Sequence, residues 1–240
     1  MNGPRTALLL LATLAAGCAR TSSPGGADRP VPADRVLDFA TLYGQNCAGC
    51  HGADGQFGPA PPLNDPLFLA LVPDTDLAMI IAEGRPETPM PAFSRDAGGT
   101  LTDDQVQALA DGLKARWKAE RPAAPTPAYS AAEGHGDRAR GQRVFDRACA
   151  TCHGKDGLGG DGKVGPIHEP AFLALISDQA LRRFVITGRR DLKMPNFAGK
   201  EGRPSDFQPL TSEDVADVVA LLADWRRTSG TGRPDSQRTH

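Results

Sequence analysis

Aromatic side chains make up only 5% of these 240 residues, methionine occurs four times, cysteine five times, and the formal charge is −2. Each shortage excludes something. A chain so nearly neutral offers no basic field for nucleic acid. No alternation of apolar and polar residues reaches useful strand length, so a sheet lacks its signal and an all-α fold is expected. Few aromatics leave helical units of about 90 residues with thin cores, and units of that size commonly depend on a staple. The cysteines point to the staple: four of the five lie in two strings, Cys47-Ala-Gly-Cys50-His51 and Cys149-Ala-Thr-Cys152-His153.

The N-terminus reads as an address. Arg5 precedes the apolar run "ALLLLATLAA", which has signal-peptide length and is too short to span a bilayer, so residues 1–17 are expected to be a secretory signal. Cys18, directly after small residues, resembles the lipobox of bacterial lipoproteins, where cleavage leaves a lipid-bearing cysteine at the mature N-terminus. That resemblance implies lipid attachment at Cys18 and a membrane anchor of several acyl chains. It also gives the fifth cysteine of an exported chain a use. Lipoboxes usually carry leucine three residues before the cysteine, where this chain has Ala15, so ordinary cleavage nearby is the alternative. The expected location is the periplasm, with the chain held at the membrane. No later segment is apolar enough to cross it.

Composition divides the rest. Residues 18–33 form a Ser/Pro/Gly-rich stalk, 120–133 a proline-rich linker and 229–240 a polar tail. The segments between, 34–119 and 134–228, match each other far beyond the cysteines. "PLNDPLFLAL" at Pro62 falls on "PIHEPAFLAL" at Pro166, Gly84-Arg85 on Gly188-Arg189, and "MPAF" at Met90 on "MPNF" at Met194. After a longer loop in the second copy, "GKEGRPSDFQP", Leu101 meets Leu210, and Trp117 falls within one residue of Trp225. This is an internal duplication.

Each copy is expected to hold three or four helices. A first helix shows in Val36, Ala40 and Tyr43, and in Arg140, Val144 and Ala148, where Gly141 interrupts. A middle helix carries Leu77, Ile80 and Ile81 before Gly84, and Leu181, Phe184 and Val185 before Gly188, glycine being a natural stop. The last helix opens on Thr102-x-x-Gln105 and Thr211-x-x-Asp214, which resemble capping boxes. Val106, Leu109, Ala110, Leu113 and Trp117, then Val215, Val218, Val219, Leu222 and Trp225, follow on one face.

Cys-x-x-Cys-His is the attachment signal of c-type haem: two thiols add to the porphyrin vinyl groups and the adjacent imidazole turns onto the iron. A redox dithiol would want a βαβ context, which is absent. A four-thiolate zinc site would want its cysteine pairs fifteen to twenty residues apart rather than about a hundred. Plain disulfides give no reason for a histidine after each pair. His51 and His153 then want sixth-ligand partners. Met90 and Met194, each followed by proline and each just beyond the middle helix, supply soft thioethers that favour ferrous iron. The alternative, methionine as core filler, fits Met79, whose counterpart is Arg183.

With these residues in place, both halves resemble class I c-type cytochromes, and together they resemble bacterial dihaem, two-domain cytochromes c. The resemblance implies two tandem cytochrome c-type helical domains, each wrapped around a covalently attached haem c. It also implies that a proline carbonyl, at the matching positions Pro62 and Pro166, accepts the Nδ1–H of the proximal imidazole; the alternative is that these prolines only stiffen a loop. Asp38 and Phe39 stand in the first copy where the family often has the first-helix glycine that Gly141 supplies in the second.

The remaining histidines decide between carrier and enzyme. His135, His168 or His240 displacing a methionine would give a dihaem peroxidase, or a thiosulfate-oxidising enzyme would need an open haem. With a Met-Pro candidate in both halves, two closed irons that pass electrons are the expectation, and no nucleophile–base set or phosphate loop is present. Charge offers a direction. Residues 34–119 hold 6 basic against 12 acidic residues, and 134–228 hold 15 against 13. Arg182, Arg183, Arg189, Arg190 and Lys193 gather near the second Met loop, opposite Glu83 and Glu87 near the first. These charges are surface solvation, docking sites for a redox donor and acceptor, or a mutual attraction of the domains. The expected function is single-electron transfer between periplasmic or membrane redox partners, alone or as a subunit of a larger respiratory complex.

Overall fold

Each half of the molecule starts its first helix on an aspartate. The Asp38 carboxylate accepts from the Thr41 amide at 2.8 Å, and Asp137 accepts from the Arg140 amide at 2.7 Å. Such caps satisfy an amide that the helix itself leaves unpaired. The computed structural model describes residues 30–86, 88–123, 125–130, 136–160 and 164–230. Residues 1–17, Cys18, most of the stalk, His135, His240 and the end of the tail lie outside the described residues. Ala33–Arg35 form a single 3₁₀ turn. From Val36 onward the chain packs as one compact unit.

The first half contains α1 (Phe39–Asn46), α2 (Ala48–His51), α3 (Pro66–Leu71), α4 (Asp74–Glu83) and α5 (Asp103–Arg116). The second repeats the order as α6 (Arg138–Ala148), α7 (Ala150–His153), α8 (Pro170–Leu175), α9 (Asp178–Thr187) and α10 (Ser212–Gly230). Among the described residues there is no strand ladder, only two isolated bridges, so the all-α expectation holds. The expected first helix begins later than Val36 because Asp38 caps it. Val36 instead gives its carbonyl to Gln105 Nε2 at 3.0 Å. The short helices α3 and α8 come from proline in the first turn behind a capping carboxylate, Asp65 or Glu169, which accepts from Phe68 or Phe172.

Both capping boxes form. Thr102 and Gln105 exchange bonds at 3.1 and 3.3 Å, and Thr211 and Asp214 at 2.9 and 3.1 Å. Behind them α5 buries Val106, Leu109, Ala110 and Leu113, and α10 buries Val215, Val218, Leu222 and Trp225. Each half has its own core, and α3 joins them: Leu67 belongs to the core of the second half, and Leu71 packs against both cores. Met79 is not core filler. It is 50% exposed on α4, while its counterpart on α9, Arg183, is buried.

First-helix crossings differ. In the second half α6 lies so close to α10 that a Cβ on Gly141 would stand 2.1 Å from the Asp217 carbonyl oxygen. In the first half Phe39 takes the place of that glycine, and the room comes from the facing helix: a Cβ on Gly112 would stand 2.1 Å from the Phe39 ring. The glycine missing from α1 is therefore present on α5.

The linker is pinned rather than free. Glu120 N–H donates to the Pro66 carbonyl at 3.0 Å, and Ser130 Oγ donates to Asp76 at 3.3 Å, both in the first half. On the other side, the Ala128 carbonyl accepts from Arg182 at 2.8 and 3.0 Å, and the Tyr129 carbonyl accepts from Gln179 at 2.8 Å.

Candidate functional site

Each cysteine string is a single helical turn. Cys47 and Cys149 stand at its start, Cys50, His51, Cys152 and His153 within it, and a glycine in the left-handed region closes it, Gly52 at φ 80° and Gly154 at φ 75°. All four cysteines are free thiols, so the disulfide reading is not realised. Among the described residues no three His, Cys, Asp or Glu side chains converge as metal ligands. Burial pushes the Cys47 and Cys149 thiols up to about 11, which keeps both protonated at neutral pH.

His51 is buried and its Nδ1 lies 2.8 Å from the Pro61 carbonyl oxygen. The acceptor is thus one residue before the expected Pro62. The reason is that Pro62 gives its own carbonyl to the Arg183 guanidinium of the second half. His153 Nδ1 is buried without a hydrogen-bond partner, and Pro166 does not fill the expected role. Burial is the main cause that lowers the His51 basicity; the Pro61 bond opposes it, and Arg183 and Arg85 add to it. Burial lowers that of His153. Both imidazoles are accordingly neutral near pH 7, the form that ligates iron, and with Nδ1 held by Pro61 the free ligating nitrogen of His51 is Nε2.

The methionine loops are built alike. Gly84 (φ 71°) and Gly188 (φ 69°) end α4 and α9 where a Cβ would strike the returning backbone, 2.5 Å from the Pro91 carbonyl carbon and 2.4 Å from the Met194 oxygen. The next residue then catches the loop: Arg85 N–H donates to Met90 O at 3.1 Å, and Arg189 N–H to Met194 O at 3.0 Å. Both methionines are half-buried. The sequence pairs Gly84-Arg85 with Gly188-Arg189, but only the backbone shows that these dipeptides are the seats of the Met-Pro loops.

His168 does what Asn64 does. Asn64 Nδ2 donates to the Asp54 carbonyl at 2.8 Å, and His168 Nδ1 lies 2.9 Å from the Asp156 carbonyl. The His168 ring also stacks on Trp225, centroids 4.4 Å apart and planes 7° apart. It is occupied within the loop after the string. The longer loop of the second half supplies a residue the sequence reading missed, Arg203. Its guanidinium donates to the Ala148 carbonyl just before Cys149, to Asn196 and to Gly199, at 2.6 to 3.1 Å, and lies over Phe207. It ties the end of α6 to the Met194 loop, and the first half has no such loop.

Two of the arginines counted as surface charge are not on the surface. Arg182 and Arg183 are buried where the halves meet, and Arg189 pairs with Asp191 at 2.7 Å. Attraction between the halves, one of the three readings of that cluster, is where Arg183 acts.

The family described as cytochrome c oxidase, cbb3-type, subunit III matches residues 34–111 and again 136–222. A cbb3-type cytochrome c oxidase subunit CcoP of Azospirillum sp. (strain B510) is 30% identical over 184 residues, 68% of this chain and 57% of that protein. A FixP subunit of Bradyrhizobium diazoefficiens is 28% identical over 76% of this chain and 59% of its own length. Cytochrome c55X of Pseudomonas aeruginosa is 36% identical over 90 residues, 38% of this chain and 71% of that protein. The chain spans a little over half the length of the two oxidase subunits. Among the described residues no helix is long and apolar enough to cross a membrane.

Proposed function

The chain belongs to the cytochrome c family described as cytochrome c oxidase, cbb3-type, subunit III, and from that membership we propose that it carries single electrons between redox partners through two covalently attached haems. Membership itself implies covalently bound haem c and electron transfer. The observation that supports two sites is the repeated constellation: a free-thiol pair on one helical turn, a histidine after it whose basicity burial lowers, and a Met-Pro loop caught by a Gly-Arg corner.

In this reading Cys47 and Cys50 would attach the first haem through thioethers and His51 and Met90 would hold its iron; Cys149, Cys152, His153 and Met194 would do the same for the second. Domains at 34–119 and 134–228 each hold one group. When bound, haem supplies reversible one-electron exchange at its iron. The protein's part is to keep the imidazoles neutral by burial, to fix the His51 ring through the Pro61 carbonyl, and to hold each thioether in a loop anchored to the middle helix. Partners remain a redox donor and an acceptor identified by chemistry alone. The N-terminal signal and a lipid on Cys18 place the molecule at the periplasmic face of a membrane; mass spectrometry of the mature N-terminus tests both.

One observation favours a second reading within the same chemistry. The longer matches are named as subunits of oxidase complexes, and a chain similar to them over most of its length fits the role of an oxidase-bound electron entry subunit. Stable co-purification with an oxidase decides for it.

The deciding experiment is a spectroelectrochemical titration of the purified holoprotein with peroxide added at partial reduction. Two low-spin haems with methionine-ligation bands, unreactive toward peroxide, are expected. A high-spin or peroxide-reactive haem would overturn the carrier reading in that half.

A further inference from the structure

Arg183 is an odd residue to bury. It is 6% exposed, its Nε has no partner, and burial pulls its pKa down to about 10, with Tyr129 and Asp65 opposing. A charge so placed is costly unless its remaining contacts are strong. Those contacts all lie in the other half of the molecule. The guanidinium sits 3.6 Å above the centroid of the Phe68 ring and donates through NH2 to the carbonyl of Pro62. Pro62 directly follows the residue whose carbonyl holds His51 Nδ1 at 2.8 Å.

The arrangement has no counterpart in reverse. Met79, which stands on α4 where Arg183 stands on α9, is half exposed. Nor is His153 anchored: its Nδ1 is buried and unbonded. The half that receives the arginine is the half whose histidine is fixed.

Building on the haem-ligand reading of His51, we propose that Arg183 is a positioning residue for the first haem site, supplied by the second half. Its planar fork, clamped on Phe68, holds the Pro61–Pro62 loop so that the Pro61 carbonyl stays on His51 Nδ1. A bond there raises the basicity of a ligating imidazole, and the buried cation beside it favours the reduced iron. Lysine cannot replace the fork, because an ammonium neither stacks flat nor fixes a planar carbonyl contact in the same way.

The test uses the holoprotein and its two midpoint potentials. The potentials are assigned to halves through Met90→His and Met194→His, each of which displaces one of them. Arg183→Lys keeps the charge and loosens the loop, so the first-half potential rises. Arg183→Met removes the charge as well, so its first-half potential lies below that of Arg183→Lys. Neither moves the second-half potential. Arg182→Met is the control: it breaks the bonds to the Ala128 carbonyl in the same interface without touching the proline loop, so it lowers the thermal midpoint and leaves both potentials in place. A first-half potential unchanged in Arg183→Lys, or equal displacement of both haems, overturns the proposal. Failure of the haem-ligand reading shows separately: Met90→His would then leave the spectrum and both potentials unaltered.

Discussion

At the helix crossing beneath each cysteine string, the first half sets Phe39 against Gly112 and the second sets Gly141 against Leu221. One pairs a large side chain on the first helix with none on the last; the other reverses it. The total volume at the crossing is what the architecture holds to, because the close approach tolerates only one side chain of size. A residue-by-residue comparison with the family therefore marks Phe39 as a departure, although the fold compensates on the facing helix. The same pattern recurs in smaller exchanges. Tyr43, which donates to the Gly52 carbonyl at 2.7 Å and meets Trp117 edge-on at 5.5 Å, corresponds to Phe145, which meets Trp225 edge-on at 5.2 Å.

The most severe way to break the likeness of the halves is to remove one string. Cys47→Ser/Cys50→Ser and Cys149→Ser/Cys152→Ser are each expected to lose half of the covalently bound haem absorbance, read as the pyridine haemochrome. A pair that keeps the full absorbance would show that its string holds no haem.

A second intervention separates the crossings. Gly112→Ala pushes on a ring and Gly141→Ala on backbone, and each is expected to cost about 1–3 kcal/mol. Phe39→Ala should restore Gly112→Ala, while no side-chain truncation should restore Gly141→Ala, because the Asp217 carbonyl cannot give way. Urea unfolding of the holoprotein measures both. Equal rescue in the two halves would mean that the crossings are not distinct.

The proximal histidines make a third difference. His51 has its carbonyl acceptor and His153 does not, so His153 is the weaker donor and the second haem is expected at the higher potential. A titration that assigns the higher potential to the first half would show that another influence, such as Arg183, dominates.

Smallest is the effect of acid on the last helices. Gln105 closes the first capping box without a titrating group, whereas Asp214 closes the second. Desolvation works to raise the Asp214 pKa, but the bonds from Thr211 and Arg147 together outweigh it and hold the carboxyl below its ordinary value of 3.8. A group depressed in the folded state stabilises above its unfolded pKa and loses that contribution as pH falls through the folded value. The second half should thus lose ~0.5 kcal/mol more than the first on acidification below the ordinary carboxylate range. Asp214→Asn should reduce the difference in parallel pH-dependent melts, leaving the share of the other depressed carboxylates, Asp137, Asp191 and Asp224.

Much of this was legible in the letters. The duplication, the strings, the Met-Pro loops and the capping boxes all depend on short-range patterns, where spacing alone fixes which groups meet. What was not legible depends on packing between elements rather than on spacing within one. Pro61 rather than Pro62 accepts from His51 because Arg183, 121 positions on, takes the Pro62 carbonyl. Met79 has helical spacing suited to a core and faces outward, since the core of that half closes on Leu77 and Ile81 instead. Arg182 and Arg183 count as charge in any composition, and only the packing of α9 against α3 and the linker turns them inward.

Leu67 lends the first copy's side chain to the second copy's core. In a molecule made by doubling one gene segment, such a loan works like a ratchet. Once a neighbour's leucine fills a gap, the gap can no longer be closed from within, and either copy released alone would expose an apolar hole or an apolar knob. Two ancestral equals have become one object whose parts cannot be inherited separately.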